Sequence, residues 1–416
     1  MKKRARAFFI DEHDSSKQNG IGTFRDLLLP RLAAEPGVEV ALISLNSDYS
    51  EPTVTKREFG REYSLPLFDG GRWRVNGRTI CRMLRKKIRD SRRNVFIINH
   101  SPCAEFIKEI KSAYPESKVA FIIHDQGWCA PLLGCRRLFR EIVTDGIIPD
   151  TVSEKTASHI RSYTQVERDI YAEADRVVCL SPSTHTLLRE VYGTEAAKIS
   201  LIPNGYAATK KRRPSKPEAR KALDIAPDEK LLIFAGRPAR YKGIEALLMA
   251  MKRLRAKDPK LRCVMCGHMG GFGDFGTLLR KVASGLIFTG LIPKNELRKW
   301  YAAADVGVMP SYSEQFGYSA MEMAESGLRL VTSDGPGLCD IFKDGENAFV
   351  AEIGSDVTDF DRYSRSLQLA IEQALHASPQ ISRKIIARCR KTAREDYSAD
   401  KMASGYASMI RAMVSA

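Results

Sequence analysis

Apolar residues along this chain fall in short, nearly continuous runs rather than in strict alternation with polar ones. Such runs occur at 7–10, 38–45, 95–99, 119–124, 176–180 and 199–202, and again at 231–235, 262–266, 287–289, 306–309, 329–332 and 348–351. Runs of this length read as strands buried on both faces of a parallel sheet. Helix-length amphipathic stretches separate them. The alternation predicts βαβ units and therefore an α/β chain with two doubly wound parallel-sheet domains.

The turn signal Pro203-Asn204-Gly205 and the polar, Pro-bearing stretch after it, with Lys210-Lys211-Arg212-Arg213, place the boundary near residue 204. The expected units are residues 1–204 and 205–397, with a helix from about 398 to 416 crossing back to the first. In open α/β sheets ligands bind beyond the carboxyl ends of the strands, so the site is expected in a cleft between the two units.

Composition narrows the class. A chain of 416 residues with 44% hydrophobic content has enough apolar surface for two cores and is neither fibrous nor disordered. No apolar run approaches the roughly 20 residues of a membrane-spanning helix. The apolar residues 7–10, ending before Asp11, are too few for a signal peptide. Nine scattered cysteines fit a reducing compartment, so a cytoplasmic location is expected. Cys263 and Cys266 form a CxxC inside an apolar run and read as small buried hydrophobes.

Lys and Arg number 66 against 50 Asp and Glu, a net charge of +16, which favours anionic partners. Ten of the basic residues crowd between Arg72 and Arg93, with Asp90 the one acid there. In that stretch Ile80, Leu84 and Ile88 recur every four residues, while Arg82, Arg85, Lys86 and Arg89 fall elsewhere. This predicts a basic amphipathic helix. Its apolar stripe either docks on its own domain or accompanies binding to an anionic membrane surface.

Two loops carry candidate chemistry. After the run 231–235 come Gly236, Arg237, Arg240, Lys242 and Gly243, and a helical pattern starts at Ile244. Exposed N–H groups, the helix dipole and converging cations make an anion site suited to a diphosphate. After the run 306–309 come Glu314, Gln315, Phe316, Gly317, Tyr318 and Glu322. Gly317 allows close backbone approach to a ligand. Glu322 stands on an otherwise apolar helix and needs a partner, for which the vicinal hydroxyls of a ribose are suited. Asp11, His13 and Asp14 follow the first strand and read as cleft-rim residues rather than metal ligands. Asp359-Phe360-Asp361, formally a DxD, reads as a helix cap.

Glu314 and Glu322 stand in an E-x7-E arrangement around Phe316-Gly317. IPNG (Ile202 to Gly205) and GRPARYKG precede it, and SDGPGLCDIFKDGENAFV follows. The first half adds Gly20-Ile21-Gly22-Thr23, His124-Asp125 and ERDIYAEADRVVCLSPS from Glu167. In this order the set resembles the retaining glycosyltransferases of family four, whose fold is GT-B, two Rossmann-like domains facing a cleft. The resemblance implies a metal-independent, cofactor-free transfer from a nucleotide-sugar donor, most commonly a UDP-hexose. The acceptor would be a glycan, a lipid-linked molecule or a peptide, met by a peripheral enzyme at the inner face of the membrane.

Carried over by resemblance, Arg237 and Lys242 grip the diphosphate and Glu322 the ribose. Glu314 meets the donor sugar, helped by the backbone of Gln315, Phe316, Gly317 and Tyr318. Gly20 and Gly22 approach from the first domain, His124 lies at the acceptor side, and Asn204 joins the substrate-binding set. The residues implied in catalysis are Glu314, His124, Arg237 and Lys242. Two other classes stay open. A sugar-nucleotide epimerase of the same fold leaves the glutamate pair with Arg237 and Lys242 unexplained. A non-catalytic basic protein could bind membrane or nucleic acid, but no aromatics interleave the basic runs and no nucleic-acid module is recognised.

Overall fold

The computed structural model describes residues 4–12, 20–67, 77–99, 103–209, 212–268, 270 and 275–415. The first sheet contains β1 (Ala5–Glu12), β2 (Val38–Ser47), β3 (Thr53–Arg57), β4 (Gly60–Pro66), β5 (Asn94–Ile98), β6 (Lys118–Ile122), β7 (Arg176–Cys179) and β8 (Ile199–Leu201). Its order is β3-β4-β2-β1-β5-β6-β7-β8. The second contains β9 (Lys230–Ala235), β10 (Leu261–Cys266), β11 (Leu286–Gly290), β12 (Val306–Met309), β13 (Arg329–Ser333) and β14 (Phe349–Ala351), in the order β11-β10-β9-β12-β13-β14. Every neighbouring pair is parallel except β3 with β4.

The unbroken apolar runs follow from this layering. Phe8 packs with Ile43 and Phe96 on one face of the first sheet, while its neighbour Phe9 packs with Leu42 and Ile97 on the other. Helices cover both faces, so neither alternate set is free to be polar. Helix Gly20–Ala34, through Phe24 and Leu28, shares one face with helix Ala399–Ser415, through Tyr406 and Ile410. The C-terminal helix thus rests on the sheet built by the start of the chain.

Two features differ from the sequence expectation. The β3–β4 hairpin was not expected. β3 is an exposed edge strand, TVTKR, without the apolar run that marks the buried strands. The basic helix is also shorter: it spans Gly77–Arg85, and residues 68–76 lie outside the described residues. Ile80, Leu84 and Ile88 are all buried, but Ile88 enters the core from a turn in which its N–H reaches Leu84 O at 2.7 Å. Lys86 and Arg89 are therefore exposed loop residues. The cations Arg82 and Arg85 sit in the last turn, where they complement the helix carbonyls.

The chain passes between the sheets twice, after β8 and before helix Ala399–Ser415. The two crossings pair: Tyr206 N–H donates to Tyr397 O at 2.7 Å, and Ala399 N–H donates to Tyr206 O at 2.8 Å. Gly205 makes this possible, since a Cβ there would lie 2.5 Å from Ala399 Cα and 2.7 Å from Ser398 O. Gly205→Ala must push the crossings apart. It is expected to lower stability by about 1–3 kcal/mol, read as a drop in the denaturant midpoint. An unchanged midpoint would refute the close approach.

Candidate active site

Because the strands of each sheet are parallel, their following loops leave from one edge. The loop after β9 turns through Arg240–Lys242, and Gly243 caps helix Ile244–Lys257. The loop after β12 lies against it, with Tyr312 N–H donating to Tyr241 O at 2.8 Å. A third loop, after β13, closes behind: Glu314 N–H donates to Pro336 O at 3.0 Å. Gly337, at φ +83°, has room for no side chain, because a Cβ there would fall 1.8 Å from Glu314 O.

These contacts aim one carboxylate. Glu314 Oε1 accepts from Lys242 Nζ at 2.5 Å and from Ser311 Oγ at 2.8 Å. The Lys242 ammonium sits 5.0 Å from the Tyr241 ring centroid and the Arg237 guanidinium 5.8 Å, and Arg237 also donates to the Tyr241 hydroxyl. Two cations thus flank one aromatic ring just before a helix N-terminus. Glu322 lies on the following helix, Tyr318–Ser326. Its Oε2 accepts from Tyr301 Oη at 3.1 Å; burial raises its carboxyl pKa, and the charge of Lys294 acts against that rise.

The first sheet supplies the facing wall. His124 follows β6, its Nε2 hydrogen-bonded with Asn99 Oδ1 at 2.8 Å and its ring edge-on to Phe24 at 5.0 Å. The neighbouring Asp125 opens onto the cleft. Desolvation raises its carboxyl pKa, and the charges acting on it include Lys242, Glu314 and Arg237. The loop after β6 also abuts the loop after β12, since a Cβ on Gly134 would lie 2.7 Å from Ser313 Cβ and 2.8 Å from Tyr312 O.

The remaining expected residues are placed as follows. Gly20 begins its helix rather than standing in a loop, and a Cβ on it would be 3.6 Å from the Tyr318 ring. Gly22 is buried in the same turn. Gln315 Oε1 accepts from Thr184 Oγ1 of the first unit at 3.0 Å. Phe316 is buried and packs its ring on Tyr318 and Tyr397, so the ring serves the core. Gly317, at φ +78°, caps the helix that carries Glu322. Asn204 is buried in the first crossing.

Among the described residues no group of three or more His, Cys, Asp and Glu side chains is placed to hold a metal. Asp11 is buried against Arg25 at 3.0 Å, and His13 and Asp14 lie outside the described residues. Asp359 caps helix Phe360–His376, accepting from Arg362 N–H at 2.9 Å. All nine cysteines are unpaired. Burial pushes the Cys266 thiol up to about 11 and raises Cys263 further, as fits thiols inside a sheet.

Comparison with known proteins gives two family matches in succession along the chain. The model of Glycosyltransferase Family 4 matches residues 18–210, and that of Glycosyl transferases group 1 matches residues 215–382. The chain belongs to glycosyltransferase family four. It is 29% identical over 248 residues to D-inositol 3-phosphate glycosyltransferase of Streptosporangium roseum, covering 56% of this chain and 55% of that one. The corresponding Arthrobacter protein is 31% identical over 185 residues, 43% of this chain and 44% of the relative. The chain thus spans about half the length of the curated relatives it matches. Its fold is GT-B. Sucrose-phosphate synthase from Thermosynechococcus elongatus superposes with a TM-score of 0.73 at 20% identity, over 99% of this chain and 100% of that one. Anabaena HepE, solved with UDP-glucose, gives 0.68 at 14% identity, over 98% and 100%.

Within this family-four chain, sequence reasoning did not assign roles to Tyr301, Ser311, Thr184 or Gly337. Each is an unremarkable residue type, given meaning by its neighbour across a loop. Gly337→Ala is expected to lower stability by about 2–4 kcal/mol, strain and clash together. Gly345→Ala is the control: it shares the left-handed backbone, φ +68°, but a Cβ there meets nothing within 4 Å. It should cost about 1 kcal/mol. Equal losses in denaturant melts would refute the clash with Glu314.

Proposed function

We propose that this chain is a retaining glycosyltransferase that moves a sugar, most simply a hexose from its UDP derivative, to an acceptor hydroxyl. One observation carries the proposal. Lys242 pairs with Glu314 beside Arg237 on one wall, and on the other the loop that follows His124 and Asp125 abuts Ser313 and Tyr312 at Gly134. In this reading Arg237, Lys242 and the helix beginning at Ile244 neutralise the diphosphate as it leaves. Glu322 takes the ribose hydroxyls and Glu314 the donor sugar. The sugar–phosphate bond breaks on the face where the acceptor oxygen bonds, and the leaving phosphate oxygen takes the acceptor's proton, which preserves the configuration. Arg237 and Lys242 supply the counter-charge in this scheme, so no metal is invoked.

The test begins with a thermal-shift panel of nucleotide sugars, because stabilisation grows with the logarithm of ligand concentration over Kd. Arg237→Ala and Lys242→Ala should each weaken binding of the selected nucleotide diphosphate. A charge-assisted contact is worth about 1.5–3 kcal/mol, a factor of roughly ten to a hundred. Glu322→Gln should weaken free nucleotide diphosphate and donor alike. Glu314→Gln should leave the diphosphate bound and slow transfer, since a contact stronger in the transition state raises turnover rather than affinity. The opposite split would reverse the two roles. Conversion of one nucleotide sugar into its epimer, with no acceptor and no net release of nucleotide, would favour the epimerase reading.

The acceptor side adds a membrane component to the proposal. Arg82, Arg85, Lys86 and Arg89 are exposed, and no described helix is long and apolar enough to cross a bilayer. In this reading the four cations meet anionic headgroups, each worth about 1 kcal/mol near such a surface. The protein should sediment with anionic vesicles at low salt and be released as salt rises. Equal indifference to anionic and neutral vesicles would remove the membrane from the proposal.

A further inference from the structure

The loop that carries His124 and Asp125 is held from behind by one helix. After Asp125 the chain runs through Gln126, Gly127 and Trp128 to Gly134. Helix Glu154–Glu173 passes beneath it. Two residues of that helix, four positions apart and so on one face, both address Gly127. Glu167 Oε1 accepts from Gly127 N–H at 2.8 Å. The Tyr163 ring is the wall on the other side, and a Cβ on Gly127 would lie 2.2 Å from it. Glu167 is buried at 4% exposure, and its second oxygen accepts from Tyr192 Oη at 2.5 Å. A carboxylic side chain so enclosed is costly unless its hydrogen bonds do something a hydrophobe could not.

We propose that Glu167 is a positioning residue for the acceptor side of the cleft, fixing Gly127 and through it the direction of His124 and Asp125. This rests on the glycosyltransferase reading above but concerns a residue outside the cleft. Two further contacts of the same loop give the fixing a consequence across the cleft. A Cβ on Gly134 would lie 2.7 Å from Ser313 Cβ and 2.8 Å from Tyr312 O. The loop therefore abuts the segment that presents Glu314, the residue assigned to the donor sugar, rather than the residues assigned to UDP.

The same site predicts a pH response. Burial pushes the Glu167 carboxyl up to about 7, the hydrogen bonds from Tyr192 and Gly127 act to lower it, and the Asp125 carboxylate acts to raise it. Tyr171 and Cys129 also face it, with hydroxyl and thiol pKa values that burial raises well above this range. An acid whose folded pKa lies above its unfolded value favours the folded arrangement at low pH, and this contribution is lost as pH rises through about 7. The loop should loosen above that pH.

Trp128 is the reporter, buried and stacked on Phe139 at 4.5 Å. In a Trp73→Phe/Trp300→Phe chain it is the one remaining indole. Its emission should move to longer wavelength as pH rises through about 7. Glu167→Gln keeps an acceptor for Gly127 and gives a donor to Tyr192, so it should abolish this titration. Glu167→Ala should show the shifted emission at every pH and lower transfer roughly ten- to a hundredfold, through acceptor KM and turnover. Its UDP affinity should stay within about twofold, since UDP contacts lie on the other wall. Glu167→Gln should restore most of the transfer that the alanine loses.

Wild-type emission and rates in Glu167→Ala would overturn the proposal. So would a Glu167→Gln variant that still titrates, or UDP affinity falling in step with transfer. If the alanine variant does not fold, the pH series on wild type and Glu167→Gln decides. If wild type transfers no sugar from any nucleotide donor, the glycosyltransferase reading fails, while the Trp128 series still decides whether Glu167 holds the loop.

Discussion

The ion pair between Lys242 and Glu314 is the contact on which the second wall of the cleft depends. Both side chains are mostly buried, at 17% and 11% exposure, where an ion pair is favourable only when its remaining hydrogen-bonding capacity is met. Ser311 meets part of it on Glu314, and the Tyr241 ring lies near the ammonium. The pair ties the loop after β9 to the loop after β12, and the Pro336-Gly337 turn closes behind the glutamate. Arg237 lies 5.8 Å from the centroid of the same ring, a second cation near the first. Two cations share one site with Glu314 and Asp125, and an anion between them would relieve their repulsion.

The two walls are joined differently at the hinge and across the cleft. At the hinge the crossings exchange backbone hydrogen bonds over a glycine that leaves no space between them. Across the cleft polar contacts stand beside the packing of Tyr312 and Tyr318 against the first unit. Thr184 meets Gln315 at 3.0 Å, Ser183 N–H meets Asp340 Oδ2 at 3.2 Å, and Lys294 meets Thr23 at 3.4 Å. The crossings hold the chain's two passages together.

The first wall is built from the inside outward. Helix Glu154–Glu173 carries its own apolar stripe into the core through Ala157, Ile160 and Ile170. It spends one buried position on Glu167, which reaches the turn beside Asp125. In the proposal above, a residue buried behind the cleft thus fixes the turn beside Asp125.

By itself the sequence determined the alternation of buried strands and helices, the parallel sheets, the position of Arg237, Lys242 and Glu314 in segments that follow strands, and that of Glu322 on a helix. These are local properties: a run buried on both faces of a parallel sheet must be apolar throughout, and a loop after such a strand must end at the ligand edge. Only the tertiary structure decided which of those residues meet. That Lys242 pairs with Glu314 rather than standing free depends on two loops separated by about seventy residues. That Phe316 belongs to the core, that Asp125 feels the charges of the opposite wall, and that Glu167 serves Gly127 all depend on packing between distant segments. The exposed β3 edge and the early end of the basic helix escaped prediction for the same reason. Period and composition report burial within one element, while partners are set by the folding of the chain upon itself.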